Sequence, residues 1–181
     1  MLATGNPGKA AEWSALLRPA GVDVVSRPEM GDPEESGSSA EDNAWIKALA
    51  VALHTGVPAL GDDVAVEIDA LGGGPGMETR RWADALGGWS AALEALGTTC
   101  LGSPGRYMCG LALAWPDGSG VRVTGEVSGV IVAAAGPGIG LEPCFQPIGF
   151  ACTLSQFTDP QRRSAHPRGL ALSALLTSRA R

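Results

Sequence analysis

Apolar and polar positions alternate along this chain in short blocks, some with the spacing of helices and others with that of strands. Helical spacing predicts helices at residues 9–17, 40–54, 90–96 and 170–179. Apolar runs bounded by turn residues predict strands at residues 2–3, 22–25, 64–68, 107–115, 121–127 and 130–134. This alternation predicts an α/β fold with a hairpin at "PDGSG".

Two loops interrupt the pattern. The polar segment "EMGDPEESGSS", residues 29–39, ends at Ser39, which is placed to cap the helix predicted from residue 40. A glycine-rich loop, "GPGIGLEPCF", covers residues 136–145. Neither contains a repeat or a long linker, so the 181 residues predict a single domain, residues 1–181, with two lobes.

Composition narrows the class of protein. With 45% hydrophobic and 18% charged residues the chain is globular, and no apolar run approaches the roughly 20 residues that span a bilayer. No basic segment followed by an apolar one stands at the N-terminus, so we expect a cytoplasmic protein without a membrane partner. A net charge of −6 argues against nucleic acid as a partner.

The cations are unevenly chosen, with 11 arginines but only Lys9 and Lys47 as lysines. Where Arg replaces Lys so widely, the surviving lysines are candidates for sites that need a compact ammonium group. Chance survival on a solvated face is the alternative. The four cysteines lack paired C-x-x-C spacing, and with two histidines in the chain a zinc site is not expected.

The opening turn "TGNPGK" leads from a strand into a helix, where backbone N–H groups and the helix dipole suit a phosphate. Thr4, Asn6 and Lys9 add side-chain donors. The segment lacks the P-loop pattern, and an ordinary turn is the alternative.

Lys47 is the only polar side chain between Ala44 and Leu53, on a helix that is apolar nearly all round. Burying an ammonium group without a partner is costly. Lys47 therefore either points into a cleft or extends its head group to water.

Asp62 and Asp63 interrupt an apolar strand, where carboxylates need a metal ion or cations. Neighbours on a strand point to opposite faces, so one could bind Mg²⁺ while the other orients a water. Solvated carboxylates at a strand end are the alternative. Glu34 and Glu35 carry no signal by themselves.

In combination these segments are similar to the Ham1-like inosine triphosphate pyrophosphatase family. The similarity runs through "LATGNPGKAAEWSALL", "PEESG", "EDNAWIKA", "GDDVAVEIDALGGGPGMETRRW", "RYMCGLAL", "GEVSGVI", "GIGLEPCF" and "RRSAHPRGLAL". The resemblance implies a two-lobed fold with a long mixed β-sheet flanked by helices, an active site in the cleft between the lobes, and a homodimer. It also implies hydrolysis of a nucleoside triphosphate to the monophosphate and pyrophosphate with Mg²⁺ as cofactor.

The resemblance assigns roles residue by residue. Thr4, Gly5, Asn6 and Lys9 would hold the triphosphate, with Lys47 as a second phosphate ligand. Glu34, Asp62 and Asp63 would form the metal side of the site, and Asp63 would be the general base, with Lys9 and Lys47 as the other catalytic residues. The positions that correspond to contacts with the substrate base are Ile139, Gly140, Leu141, Glu142, Arg162, His166 and Arg168.

Departures from the family pattern concentrate in that last group. Ile139, Leu141 and Glu142 replace the aromatic and acidic residues of the family loop, and Pro167 stands where the pattern has His. The hydrolytic half is kept, which predicts an altered base specificity, as in specialised nucleoside metabolism. A catalytically impaired nucleotide-binding homologue and a Maf-like pyrimidine nucleotide pyrophosphatase are the alternatives.

Overall fold

The computed structural model describes residues 1–26 and 33–178. The helices in these ranges are α1 (Pro7–Leu17), α2 (Ala40–Thr55), α3 (Thr79–Ala85), α4 (Trp89–Thr99), α5 (Asp159–Ala165) and α6 (Pro167–Ser178). The strands are β1 (Ala59–Ile68), β2 (Pro75–Gly76), β3 (Pro104–Ala114), β4 (Gly120–Ile131) and β5 (Phe145–Pro147). Short 3₁₀ turns occur at Arg18–Ala20, Asp69–Leu71, Glu142–Cys144 and Leu154–Gln156.

The strands form one sheet in the order β2-β1-β3-β4-β5. β1 pairs with β2, and β4 with β5, in antiparallel orientation, and the Trp115 N–H donates to the Ser119 carbonyl at 2.8 Å in the turn of the β3–β4 hairpin. Leu2 adds isolated parallel bridges to Ser26 and Leu60. The predicted α/β fold with a mixed sheet and flanking helices is confirmed.

The capping signals at the two N-terminal helices act as predicted. The Asn6 side chain accepts hydrogen bonds from the N–H groups of Gly8 and Lys9, and Pro7 opens α1, so the helix begins two residues earlier than its apolar spacing indicates. The Ser39 side chain accepts from the Asp42 N–H at the start of α2. Both helices are therefore encoded locally.

Several elements differ from the sequence prediction. Residues 22–25 form no strand, and β4 is continuous where two strands were predicted, because Gly129 permits the close approach of Phe145 and Gln146 from β5. Helices α3 and α5 were not predicted. Part of the predicted polar loop, residues 29–32, and Arg179 lie outside the described residues.

The chain divides into two compact units. Unit 1 comprises residues 1–63, 109–125 and 168–181, and unit 2 comprises residues 64–108 and 126–167. The core of unit 1 has two clusters, one around Trp13, Leu60 and Leu111 and one of small residues around Ala44 and Ala48. The core of unit 2 gathers apolar side chains from α3, α4 and the strands. The prediction of a single domain is not tested by this division.

In unit 1, helix α2 lies directly against the strands because small residues line the contact. A side chain on Gly61 of β1 would overlap the Ala44 carbonyl and lie 2.9 Å from the Ala48 nitrogen. A side chain on Gly110 of β3 would overlap the backbone at Ala40. This close approach fixes the polar residues of α2 relative to the carboxylates of β1.

Gly61→Ala is therefore expected to push α2 away from β1. We expect the free energy of unfolding to fall by roughly 1–3 kcal/mol, as for an overpacked core, measured by urea denaturation. Gly97→Ala in α4 is the matched control, because its side chain would meet nothing within 4 Å, and it should be neutral or slightly stabilising. Equal stability of Gly61→Ala and wild type would contradict this description of the contact.

Within the described residues no helix is long and apolar enough to span a membrane. All four cysteines are free, and Cys152 is the one that is not fully buried.

Candidate functional site

The opening turn lies at the N-terminus of α1 in unit 1. Gly5 and Asn6 are exposed, Thr4 is buried, and the Asn6 N–H donates to Thr4 Oγ1 at 3.1 Å. Asn6 Oδ1 caps the helix through Gly8 N and Lys9 N at 2.9 and 3.3 Å. Any contact from the Asn6 side chain to a phosphate would therefore come from its amide nitrogen.

Asp62 is buried within β1 among cations. Its Oδ2 atom lies 3.2 Å from Lys9 Nζ and 3.3 Å from Arg168 Nε, and the residue is 1% exposed. Its Oδ1 atom has no hydrogen-bond partner among the described residues. One oxygen of this carboxylate is thus held by two cations while the other is available as a ligand atom.

Asp63, the next residue of β1, pairs with α2. Its Oδ1 atom lies 2.8 Å from Lys47 Nζ, and its Oδ2 atom accepts from Asn43 Nδ2 at 3.4 Å. Asn43 precedes Lys47 by one helical turn, so the two side chains share a face of α2. Lys47 therefore points at a carboxylate, and the alternative of a head group extended to water is wrong.

The "PEESG" loop joins this arrangement through Glu35. Glu35 Oε1 lies 2.5 Å from Lys47 Nζ, whereas Glu34 is exposed. The loop is held by the Gly37 N–H, which donates to Asn43 Oδ1 at 2.8 Å. Of the two glutamates, the structure brings Glu35 to the carboxylate pair, and the metal role predicted for Glu34 stays a prediction.

Burial and charge act in opposite directions on the two aspartates. Burial alone would raise the pKa of Asp62, but Lys9, Arg168 and Lys47 outweigh it and lower the pKa to about 2. Burial raises the pKa of Asp63 above its ordinary value despite the opposing charge of Lys47. The carboxylates on either side of Lys47 raise its pKa even though burial favours the neutral amine.

The lowered pKa of Asp62 has a consequence for stability in metal-free protein. A carboxyl whose pKa falls on folding contributes stability above its unfolded value, and this contribution is lost as the pH falls toward the folded value. With an unfolded pKa of about 3.9 and a folded one of about 2, the contribution is roughly 2 kcal/mol.

We expect Asp62→Asn to be less stable than wild type at pH 6 and the difference to shrink between pH 5 and pH 2. Urea denaturation in the presence of EDTA measures it. A difference that does not change over this range would contradict the assigned charge environment.

The residues predicted to contact the base lie in unit 2, except for Arg168. Ile139 and Gly140 are half-buried, and Leu141 and Glu142 are fully buried. Glu142 lies 3.3 Å from Arg162 and 3.4 Å from His166, which is itself fully buried with its ring edge-on to Phe157. Glu142, Arg162 and His166 thus contact one another inside unit 2.

Arg168 lies in unit 1 near the start of α6. It is 1% exposed, its Nε atom donates to Asp62 at 3.3 Å, and its NH1 group donates to Glu12 of α1 at 2.8 Å. The guanidinium group thus lies among the carboxylates of unit 1. Its predicted role in base contact stays a prediction.

Sequence reasoning missed three residues of this arrangement: Glu12, Glu35 and Asn43. Asn43 had a local signal, because a polar residue four positions before Lys47 falls on the same helical face. Glu12 likewise follows Lys9 by three residues in α1. Glu35 had none, since its contact with Lys47 depends on how the preceding loop returns to α2.

The donor set fits Mg²⁺. Carboxylate oxygens are the ligands that this hard cation prefers, and the buried Oδ1 atom of Asp62 lacks a hydrogen-bond partner among the described residues. Such an atom is costly unless a ligand satisfies it. Asp62 is therefore the residue of this site that fits a metal ligand best, with Asp63 beside it.

Fold and site together define a class of protein: an α/β chain with paired carboxylates on a central strand and two ammonium groups beside them. Comparison with known proteins makes the class specific. The Ham1 family matches residues 1–178, and the chain belongs to that family. The predicted family is thereby confirmed.

Relatives and solved structures agree with this assignment. A dITP/XTP pyrophosphatase from Bradyrhizobium diazoefficiens is 36% identical over 96% of this chain and 88% of its own, and one from Rhodopseudomonas palustris is 38% identical with the same coverage. A Ham1 protein from Coxiella burnetii has a TM-score of 0.76 at 30% identity, covering 99% of this chain and 96% of its own. The prediction of an enzyme, a phosphoanhydride hydrolase, is thus confirmed at the level of the family.

Proposed function

We propose that this protein is a Mg²⁺-dependent nucleoside triphosphate diphosphatase that yields a monophosphate and pyrophosphate. The observation that carries the proposal is the set of ion pairs in unit 1 that joins Lys9 to Asp62 and Lys47 to Asp63. Both lysines of the chain are used there. The family and the names of its relatives support the same reaction class.

The residues divide the reaction between them. Asp63 accepts a proton from the water that attacks the phosphorus, and its raised pKa makes it a better base than an ordinary carboxylate. Lys9 and Lys47 offset the negative charge that builds up on the departing pyrophosphate. Bound Mg²⁺ would supply further charge neutralisation at the phosphates.

The N-terminus of α1 supports phosphate binding by its position. Lys9 belongs to the first turn of this helix and also reaches Asp62 of β1, so the turn and the carboxylate are joined by one side chain. The positive end of the helix dipole adds to the attraction for an anion. Thr4, Gly5 and Asn6 then form the rest of the phosphate-binding turn.

We further propose that base specificity differs from that of the dITP/XTP pyrophosphatases among the relatives. The support is the burial of Leu141 and Glu142 and the contacts of Glu142 with Arg162 and His166 within unit 2. A carboxylate used in this way is not available for a hydrogen bond to a base without breaking these contacts. A role in specialised nucleoside metabolism would follow from such a change.

A nucleotide panel tests both proposals. The protein is incubated with Mg²⁺ and canonical or inosine-like ribo- and deoxyribonucleoside triphosphates, and monophosphate and pyrophosphate are separated by chromatography. Cleavage that EDTA stops supports the diphosphatase, and a preference for dITP and XTP contradicts the altered specificity. Binding without cleavage, seen as a raised melting temperature, contradicts the diphosphatase, and a pyrimidine preference indicates the Maf-like activity.

Cytoplasmic location and a homodimer remain predictions. Sedimentation of the purified protein tests the second directly.

A further inference from the structure

Three buried charged residues from distant parts of the chain meet in unit 1. Arg168 of α6 contacts both Glu12 of α1 and Asp62 of β1, so its guanidinium group links two carboxylates. The Glu12 side chain is 8% exposed, and those of Arg168 and Asp62 are 1% and 0% exposed. Buried charges of this kind are costly unless each is paired.

The geometry points to a positioning role for Arg168 and Glu12. We propose that Glu12 fixes the guanidinium of Arg168, which together with Lys9 holds Oδ2 of Asp62 so that Oδ1 stays available to bind a divalent cation. The role rests on the proposed function for its catalytic consequence. It differs from a contact to the substrate base, which the sequence pattern alone assigns to Arg168.

The distribution of contacts on Asp62 supports this role. Lys9 and Arg168 both contact Oδ2, and Oδ1 has no hydrogen-bond partner among the described residues. If Arg168 only neutralised charge, contacts to either oxygen would serve. Two cations on one oxygen fix the orientation of the carboxylate as well as its charge.

Arginine suits this position better than lysine. Its planar group presents several N–H donors in fixed directions, and here Nε serves Asp62 while NH1 serves Glu12. A lysine retains the charge but has one head group for two carboxylates. Arg168→Lys therefore separates charge from positioning.

The test compares Arg168→Lys and Glu12→Gln with wild type. Partners that orient a metal ligand typically contribute 10- to 100-fold in metal affinity or activity. We expect Mn²⁺, added alone and followed by electron paramagnetic resonance, to bind about 10-fold more weakly to both variants. Arg163→Lys, at an exposed position of α5, is the matched control and should bind Mn²⁺ as wild type does.

Kinetics separate positioning from base recognition. For Arg168→Lys we expect kcat to fall by about 10-fold or more, by the same factor for every nucleotide that wild type cleaves, with KM changed less than about threefold. A rise in KM for one base alone, or an unchanged kcat, overturns the proposal. Circular dichroism of both variants confirms that they are folded.

The metal measurement does not depend on the reaction. If wild type binds Mn²⁺ and both variants bind it more weakly, the positioning role holds even where no triphosphate is cleaved, and the proposed function alone fails. Equal Mn²⁺ affinity in all the proteins, or no Mn²⁺ binding by wild type, overturns the positioning role whatever the activity.

Discussion

Asp63→Asn is expected to lower kcat for triphosphate hydrolysis by about 10³-fold, within the range that a general base contributes. Asparagine occupies nearly the same volume and can still contact Asn43, but it cannot accept the proton of the attacking water. It also leaves Lys47 paired with Glu35 alone. Pyrophosphate release under saturating nucleotide and Mg²⁺ measures the loss.

Two further measurements make this prediction specific. Asp69→Asn, which alters an exposed aspartate just after β1, should keep wild-type activity. Nucleotide binding to Asp63→Asn should be largely retained, because the lysines and Asp62 remain in place. An Asp63→Asn enzyme that turns over within about threefold of wild type would exclude Asp63 as the base.

The pH profile provides an independent sign. A general base works when it is deprotonated, and burial raises the pKa of Asp63 above the ordinary value of an aspartate. The acid limb of kcat/KM should therefore lie at a higher pH than about 4. A limb at or below that pH would show that the group limiting the rate is not a buried carboxyl of this kind.

The parts of this site that the sequence predicts are those with a local signal. A lysine inside an apolar helix and two aspartates inside an apolar strand are each improbable without a partner, so their residue types alone mark Lys47, Asp62 and Asp63 as candidates. The capped turn before α1 is similarly local. What a local signal lacks is the identity of the partner.

The pairings depend on contacts between residues that are distant in sequence. Lys47 pairs with Asp63 because Gly61 allows α2 to approach β1, and a glycine in a strand gives no indication of which helix lies above it. Arg168 reaches Asp62 across 106 residues of chain. Such contacts follow from packing, which a single sequence does not display.

The same distinction explains the errors in secondary structure. β4 was divided at Ser128 and Gly129, because small residues in an apolar run usually mark a turn. In the folded chain Gly129 instead pairs with Pro147 of β5 and leaves space for its neighbours. Helix α5 had a capping box at Thr158 and Gln161, a local signal that the apolar periodicity alone did not show.

The two lysines are expected to differ when each is replaced by methionine, which keeps the length of the side chain but removes its charge. Lys47 is 6% exposed and lies between Asp63 and Glu35, so Lys47→Met leaves two carboxylates without their cation. Removing one partner from a buried ion pair typically costs 3–5 kcal/mol. We therefore expect the free energy of unfolding to fall by about 3 kcal/mol and kcat/KM to fall by at least about 100-fold.

Lys9→Met is the matched comparison, because the Lys9 side chain is 17% exposed and Asp62 keeps Arg168 when Lys9 is lost. Its cost in stability should be nearer 1 kcal/mol, as for a partly solvated pair, while KM for the triphosphate rises by about 10-fold. Urea denaturation and steady-state kinetics of both variants separate the two roles. If the two replacements cost the same stability, burial does not distinguish the lysines; if neither changes the kinetics, the ammonium groups do not act on the phosphates, and the ion pairs of unit 1 serve the fold alone.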